Sequence, residues 1–77
     1  MKKDLLKHVE VNPNVMLGKP VIKGTRITVE QILRKLAGKV ELAQILEDYP
    51  QLTEQDVQAA ILFAAEALST EELIPLS

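Results

Sequence analysis

The 77-residue sequence contains no cysteine and no tryptophan, and it has one histidine, one phenylalanine and one tyrosine. The absence of cysteine excludes disulfide bonds, and His8 alone cannot supply the set of ligands that a structural zinc site needs. A chain of this length buries only about 60% of the surface that its unfolded state exposes. Since neither disulfides nor zinc can add to a small core, we expect association with another chain.

The sequence also lacks a long hydrophobic segment. Its longest apolar run, residues 59–65, is far too short to cross a bilayer. No charged segment followed by an apolar one opens the chain as a secretory signal would. A composition without cysteine is typical of a reducing compartment. We therefore expect a cytoplasmic protein that holds no cofactor and no metal.

Charge is divided unevenly along the chain. Residues 1–39 hold all nine bases and three acids, a balance of +6, whereas residues 40–77 hold eight acids and no base, a balance of −8. This asymmetry indicates a polyanionic partner for the basic half. The alternative is that the two halves pair with each other within the fold, and the composition leaves both open.

The segment Gly18–Val29, GKPVIKGTRITV, has the glycines and bases of a phosphate-binding loop. In the nucleotide-binding pattern G-x-x-x-x-G-K-[ST], however, glycine precedes lysine, whereas here Lys23 precedes Gly24. The chain is also too short for the parallel sheet that such a loop requires. We therefore interpret Gly24 as a turn residue with positive φ.

Candidate catalytic groups are sparse. His8 has no cysteine or second histidine to work with, and we interpret it as a surface residue. Glu47, Asp48 and Glu54 are carboxylates of the kind that act in pairs in glycosidases, but capping and solvent exposure explain them more simply. The sequence therefore predicts no enzymatic activity.

Three helices are indicated after the glycine-rich segment by apolar residues that recur every three or four positions. The first follows Thr28, which can form a capping box with Gln31, and we expect Gly38 to end it in a left-handed conformation. The second ends before Pro50. The third follows Thr53 and runs for about four turns.

Short strands are indicated before the first of these helices. Val9 and Val11 alternate with polar residues, and Val21, Ile22 and Ile27 are β-branched. The expected fold is mainly α: a three-helix, helix-turn-helix-like bundle with short N-terminal strands or a hairpin. Residues 1–77 form one domain in this interpretation, with an extended segment at 1–27, a three-helix core at 28–68 and a tail at 69–77.

Two blocks of the sequence resemble a known family. NPNVMLGKPVIKGTRITVEQIL, followed by EDYPQLTEQDVQAAILFAAE, is similar to the domain of unknown function 433. Its members share a G-x-P-x-I/F-x-G-T-R-I-x-V block, an Asp-Tyr-Pro turn and an alanine-rich helix. The similarity covers residues 12–66, and the chain departs from the family pattern at Lys39 and Val40, where a serine or threonine cap before the second helix is more usual. It implies a helix-turn-helix-like, often dimeric fold and the role of a VapB-like antitoxin with a PIN-like ribonuclease as partner.

Two functions from different classes fit these observations. The first is an antitoxin of a type II pair that binds its toxin and operator DNA as a homodimer; the alternative is a protein-binding adaptor without DNA contact. The second helix of a helix-turn-helix normally enters the major groove, but Glu54 and Asp56 in its first turn suit the helix dipole better than phosphates. If DNA is bound, the candidate contacts are Lys19, Lys23, Arg34 and Lys35 for phosphates, and Gln55 and Gln58 for bases.

Further roles are predicted for three groups of residues. We expect homodimerisation through the third helix, with Leu62 and Phe63 in the contact. The acidic and apolar tail either binds the toxin or packs back on the third helix, and its candidate residues are Glu71, Glu72, Leu73, Ile74 and Leu76. Structural roles are predicted for Gly24, Thr25, Arg26, Asp48 and Pro50, with Arg26 pairing with Asp48 or a nearby backbone carbonyl.

Overall fold

A computed structural model describes residues 2–69 of the chain. This part contains four helices and a two-stranded antiparallel sheet. In chain order the elements are α1 (Lys2–Leu6), β1 (Val9–Val11), a 3-10 turn (Met16–Gly18), β2 (Pro20–Ile22), α2 (Val29–Ala37), α3 (Leu42–Asp48) and α4 (Glu54–Ser69). The predicted mainly α fold with an N-terminal hairpin is confirmed. No helix within this part is both long and apolar enough to cross a membrane.

The hairpin places the glycine-rich segment beside the start of α2. In the β1–β2 pair, Val9 lies opposite Ile22 and Val11 lies opposite Pro20. Beyond β2 the chain turns at Gly24, whose φ of +81° confirms the expected left-handed conformation. This turn brings Ile27 back to β2, where its carbonyl accepts a hydrogen bond of 2.9 Å from the Ile22 amide.

The core lies between β2 and helices α2, α3 and α4. Its largest fully buried side chains are Ile22, Ile32, Ile45 and Val21. Removing a side chain of this size from water stabilises the fold by roughly 1.5–3 kcal/mol. Leu52 and Val57, which bracket the start of α4, belong to the same cluster. The hairpin and the three later helices therefore share one core.

The start of α2 agrees with the sequence-based prediction, and its end does not. The capping box is present: Thr28 Oγ1 accepts from the Gln31 amide at 3.0 Å, and Gln31 Oε1 accepts from the Thr28 amide at 2.8 Å. The expected left-handed stop at Gly38 is wrong, because Gly38 has a φ of −82° and Lys39 has a φ of +67°. The Val40 amide bonds to the Lys35 carbonyl at 3.0 Å, so the helix closes one residue later than the glycine indicates.

Helix α1 has no counterpart in the sequence-based prediction, which treated residues 1–27 as extended. This five-residue helix is too short to be stable alone. It packs against α4, and Leu5 and Leu6 are both half-buried. Contact with a distant helix therefore stabilises α1, and nothing in its local sequence signals this.

Candidate partner-binding surface

Two of the bases predicted to contact phosphates share one carboxylate. Lys19 Nζ lies 3.2 Å from Glu30 Oε1, and Arg34 Nη2 lies 2.8 Å from Glu30 Oε2. Hydrogen bonds from Arg34 and then Lys19 lower the pKa of Glu30 below its usual value. Exposed ion pairs of this kind add little stability. They do offset the charges of Lys19 and Arg34, which makes both weaker candidates for phosphate contacts.

The third of these bases, Lys35, joins α2 to the end of α3. Its Nζ atom lies 3.5 Å from Asp48 Oδ2 and 5.4 Å from the centre of the Tyr49 ring. Asp48 also accepts a hydrogen bond of 2.9 Å from Gln44 Nε2. The predicted pairing of Arg26 with Asp48 is wrong, because Asp48 faces α2 rather than the hairpin turn. Lys23, the fourth base, is exposed and makes no ion pair within residues 2–69.

Helices α3 and α4, which the sequence predicts to form a helix-turn-helix, are joined by a five-residue connection, residues 49–53. Gln55 and Gln58, the predicted base contacts, are both exposed on α4. Asp56 instead turns inward, where its Oδ2 accepts from the Thr53 amide at 2.9 Å, and its own amide donates to Thr53 Oγ1 at 3.2 Å. Of the two acids in the first turn of α4, only Glu54 remains exposed to solvent.

His8 is not the free surface residue that the sequence suggests. Its Nδ1 atom lies 2.7 Å from Asp56 Oδ1, and its side chain is half-buried. Burial raises the pKa of Asp56, but hydrogen bonds from His8 and Thr53 outweigh it and leave the pKa below its usual value. Because an ionised carboxylate can only accept, Nδ1 carries the proton in this contact. No signal in the sequence could join residues 48 positions apart.

A cleft of about 480 Å³ lies between the hairpin and the connection that joins α3 to α4. Arg26 from the hairpin turn and Gln51 from the connection both line it and are both exposed. The Arg26 side chain makes no hydrogen bond or ion pair with any residue between 2 and 69. The cleft is also lined by Glu10, Asn12 and Val15.

The backbone around Arg26 is fixed although its side chain is free. Thr25 Oγ1 donates to the Ile22 carbonyl at 2.8 Å and accepts from the Ile27 amide at 3.0 Å. Before the turn, the Gly24 amide donates to Glu10 Oε1 at 3.2 Å. The predicted structural roles of Gly24 and Thr25 follow from these bonds, whereas Arg26 has no structural contact of its own.

A strained loop adjoins this cleft through Val15. Met16 and Leu17 have φ values of +49° and +59°, and Gly18 follows at +82°. For large side chains the left-handed conformation costs about 1–2 kcal/mol per residue. Leu17 is 95% exposed, so burial of its own side chain does not offset this cost. The loop therefore presents a large apolar side chain to solvent at the expense of stability.

Helix α4 exposes a second apolar surface. Ile61 is 46% exposed and Leu68 is 57% exposed, and a spacing of seven places them on one face of the helix. Leu62 and Phe63, the predicted dimer contacts, are half-buried, and Phe63 packs against the core. The tail residues Glu71, Glu72, Leu73, Ile74 and Leu76, predicted to bind the toxin, lie outside the described residues.

The model of a family described as a protein of unknown function (DUF433) matches residues 9–64. This range contains the hairpin, the strained loop, α2, α3 and most of α4. No curated protein and no solved structure matches the chain significantly.

Proposed function

The chain belongs to the DUF433 family of proteins of unknown function, and we propose that it is a partner-binding module, the antitoxin of a type II toxin-antitoxin pair. In this proposal it acts in the cytoplasm as a homodimer and binds a PIN-like ribonuclease. The class of partner comes from the resemblance of its sequence motifs to those of the family. The choice of a protein as the main partner comes from its surface.

Exposed apolar surface is the observation that carries this proposal. Leu17 projects from the strained loop, while Ile61 and Leu68 share one exposed face of α4. Single exposed apolar residues are ordinary, but a backbone strained to display one suggests a function. The bases support the same choice, because Lys19, Arg34 and Lys35 are each held by a carboxylate of the chain itself.

A complex with the neighbouring gene product tests the proposal. The chain is mixed with the product of the neighbouring open reading frame, which the proposal expects to be a PIN-like ribonuclease, and the mixture is analysed by size exclusion and by RNA cleavage. We expect a stable complex in which cleavage is lost. A ribonuclease of another fold, which should stay active in the presence of the chain, is the control. Two separate elution peaks and undiminished cleavage would contradict the proposal.

Operator DNA is a second candidate partner, and a different observation favours it. Gln55 and Gln58 are exposed on the second helix of a helix-turn-helix, where base contacts are expected. Lys23 is an exposed base without a partner in the described part of the chain.

A gel-shift assay distinguishes an antitoxin that represses its own operon from an adaptor that does not bind DNA. The assay uses the DNA upstream of the gene at low and moderate salt. If Lys23 contacts a phosphate, Lys23→Gln should flatten the slope of log affinity against log salt by about 0.9. Lys19→Gln should change it less, because Glu30 already offsets the charge of Lys19. Binding of the ribonuclease without any shift of DNA at low salt would favour the adaptor.

A further inference from the structure

Arg26 has the properties of a binding residue rather than a structural one. Hydrogen bonds of Thr25 fix the backbone before and after it. Its guanidinium group nevertheless lies exposed at the cleft without a partner in the described part of the chain. The rigid backbone confines the freedom lost on binding to the Arg26 side chain, and the planar guanidinium group matches a carboxylate at two points.

The cleft also contains groups that select among anions. Glu10 lines it beside Arg26, with its carboxylate held by the Gly24 amide at 3.2 Å. The Glu10 carboxylate repels a closely spaced row of phosphates, as in a nucleic-acid backbone, more strongly than it repels a single carboxylate. Asn12 and Gln51 add amide groups that can bond to a peptide.

Apolar surface adjoins the charged group. Val15 lines the cleft, and the next two residues, Met16 and Leu17, are exposed. Arginine and methionine are enriched at protein interfaces, and arginine is among the few residue types that carry most of the binding energy. Leu17 lies two residues from Val15, which lines the cleft, and its exposed side chain can contact an apolar side chain that follows the acid bound by Arg26.

We infer that the cleft and the loop at residues 15–18 together bind an acidic segment of a protein partner in which a carboxylate is followed by an apolar side chain. Arg26 binds the carboxylate at two points, and Leu17 covers the apolar residue. This inference rests on the proposed partner-binding function and names the surface that performs it.

Two variants separate binding from folding. Arg26→Gln removes the guanidinium from a side chain without contacts, so the melting temperature should not change while affinity for the ribonuclease falls about tenfold or more. Leu17→Asn replaces a strained apolar residue by one that tolerates the left-handed conformation. It should melt at the same or a higher temperature and bind more weakly. Arg26→Lys should rescue only part of the affinity, because lysine cannot form the two-point contact.

Lys39→Gln is the matched control, since Lys39 is an exposed base that lies outside the cleft. It should leave affinity for the ribonuclease unchanged. If the ribonuclease binds the wild type, Arg26→Gln and Leu17→Asn with equal affinity, the inference is overturned while the proposed function stands.

A second experiment does not depend on the ribonuclease. A capped peptide of two glutamates and two leucines is added to isotope-labelled protein, and the NMR shifts of Arg26 Nε and of the amides at residues 12–26 are followed. We expect saturable shifts at these positions with this peptide and none with the matching glutamine peptide. Such shifts without ribonuclease binding would support the inference and count against the proposed function.

A DNA duplex of unrelated sequence forms the last arm of this experiment. Shifts at Arg26 with the duplex and none with the peptide would assign the site to phosphates and overturn the inference. Shifts with neither probe would overturn it as well.

Discussion

Asp56 joins the N-terminal segment to the last helix through one side chain. One carboxylate oxygen lies 2.7 Å from His8 Nδ1, and the other accepts from the Thr53 amide at 2.9 Å. The first contact connects the end of α1 with α4, and the second completes the cap of α4. At the scale of single residues, this carboxylate therefore supports both the position of α1 and the start of α4.

Asp56→Asn should destabilise the protein in a way that depends on pH. Asparagine keeps one acceptor oxygen in place of two, so one of the contacts with His8 and Thr53 is lost, and a lost hydrogen bond costs about 0.5–1.5 kcal/mol. Because the pKa of Asp56 is lowered in the folded state from the ordinary value of 3.8, its contribution is present above pH 3.8 and is lost as the pH falls through the folded pKa. Thermal melts should show a clear difference between wild type and variant near neutral pH, and the difference should shrink in acid below pH 3.8.

Glu54→Gln is the control for this experiment. Glu54 lies in the same turn of α4 but is exposed, so its replacement should change the melting temperature little at any pH. Equal melting curves for wild type and Asp56→Asn at neutral pH would show that the contacts with His8 and Thr53 do not stabilise the fold.

The ends of α2 show what a local pattern can predict at the scale of an element. Thr28 and Gln31 form their capping box within one helical turn, so the sequence alone predicts it correctly. The other end depends on where the last hydrogen bonds close, and here Lys39 rather than Gly38 adopts the left-handed conformation. A glycine in the sequence allows such a conformation without requiring it.

Lys39→Gly should therefore stabilise the protein. Relief of the left-handed strain gains about 1–2 kcal/mol, from which the extra flexibility of glycine in the unfolded chain subtracts roughly 0.5–1 kcal/mol. Chemical denaturation should show a net gain between about 0 and 1.5 kcal/mol. Lys39→Gln, which removes the charge but keeps the strain, should be close to neutral.

Gly38→Ala gives the complementary test of the same helix end. A Cβ atom at Gly38 would lie 3.4 Å from the Arg34 carbonyl oxygen, and the φ of −82° suits any residue. The variant should stay within about 0.5 kcal/mol of the wild type. A large loss of stability would instead indicate that Gly38, rather than Lys39, adopts the left-handed conformation.

At the scale of the whole molecule, the basic and acidic halves of the chain pair only in part. The Lys35–Asp48 and His8–Asp56 contacts join the two halves. Glu30, in contrast, holds two bases of its own half. Lys23 and Arg26 remain exposed and unpaired within the described residues. The intramolecular alternative therefore accounts for some of the asymmetry, and a basic surface at the hairpin turn is left for a partner.

The same scale separates what the sequence could predict from what it could not. The helices from α2 onward, the turn at Gly24 and the hairpin follow from spacing and residue type within a few positions. Helix α1 and the His8–Asp56 contact depend on segments that meet only after folding. The sequence could not predict that the Arg26 side chain is free either, because the packing of α3 on α2 sets its distance from Asp48. Local signals therefore predicted the elements, and most of the candidate surface required the structure.

Self-association through α4 is the prediction that concerns the whole molecule. Ile61 and Leu68 are the large apolar side chains most exposed on this helix, and a two-fold axis would place this face against its own copy. Sedimentation at protein concentrations of tens of micromolar should show a dimer, and Ile61→Gln combined with Leu68→Gln should convert it to a monomer without unfolding it. Val11→Thr, at another exposed apolar position, should leave the dimer intact. A monomeric wild type would exclude self-association at these concentrations. A double variant that stays dimeric would show that the contact lies elsewhere, and the half-buried Leu62 would then be the next residue to replace.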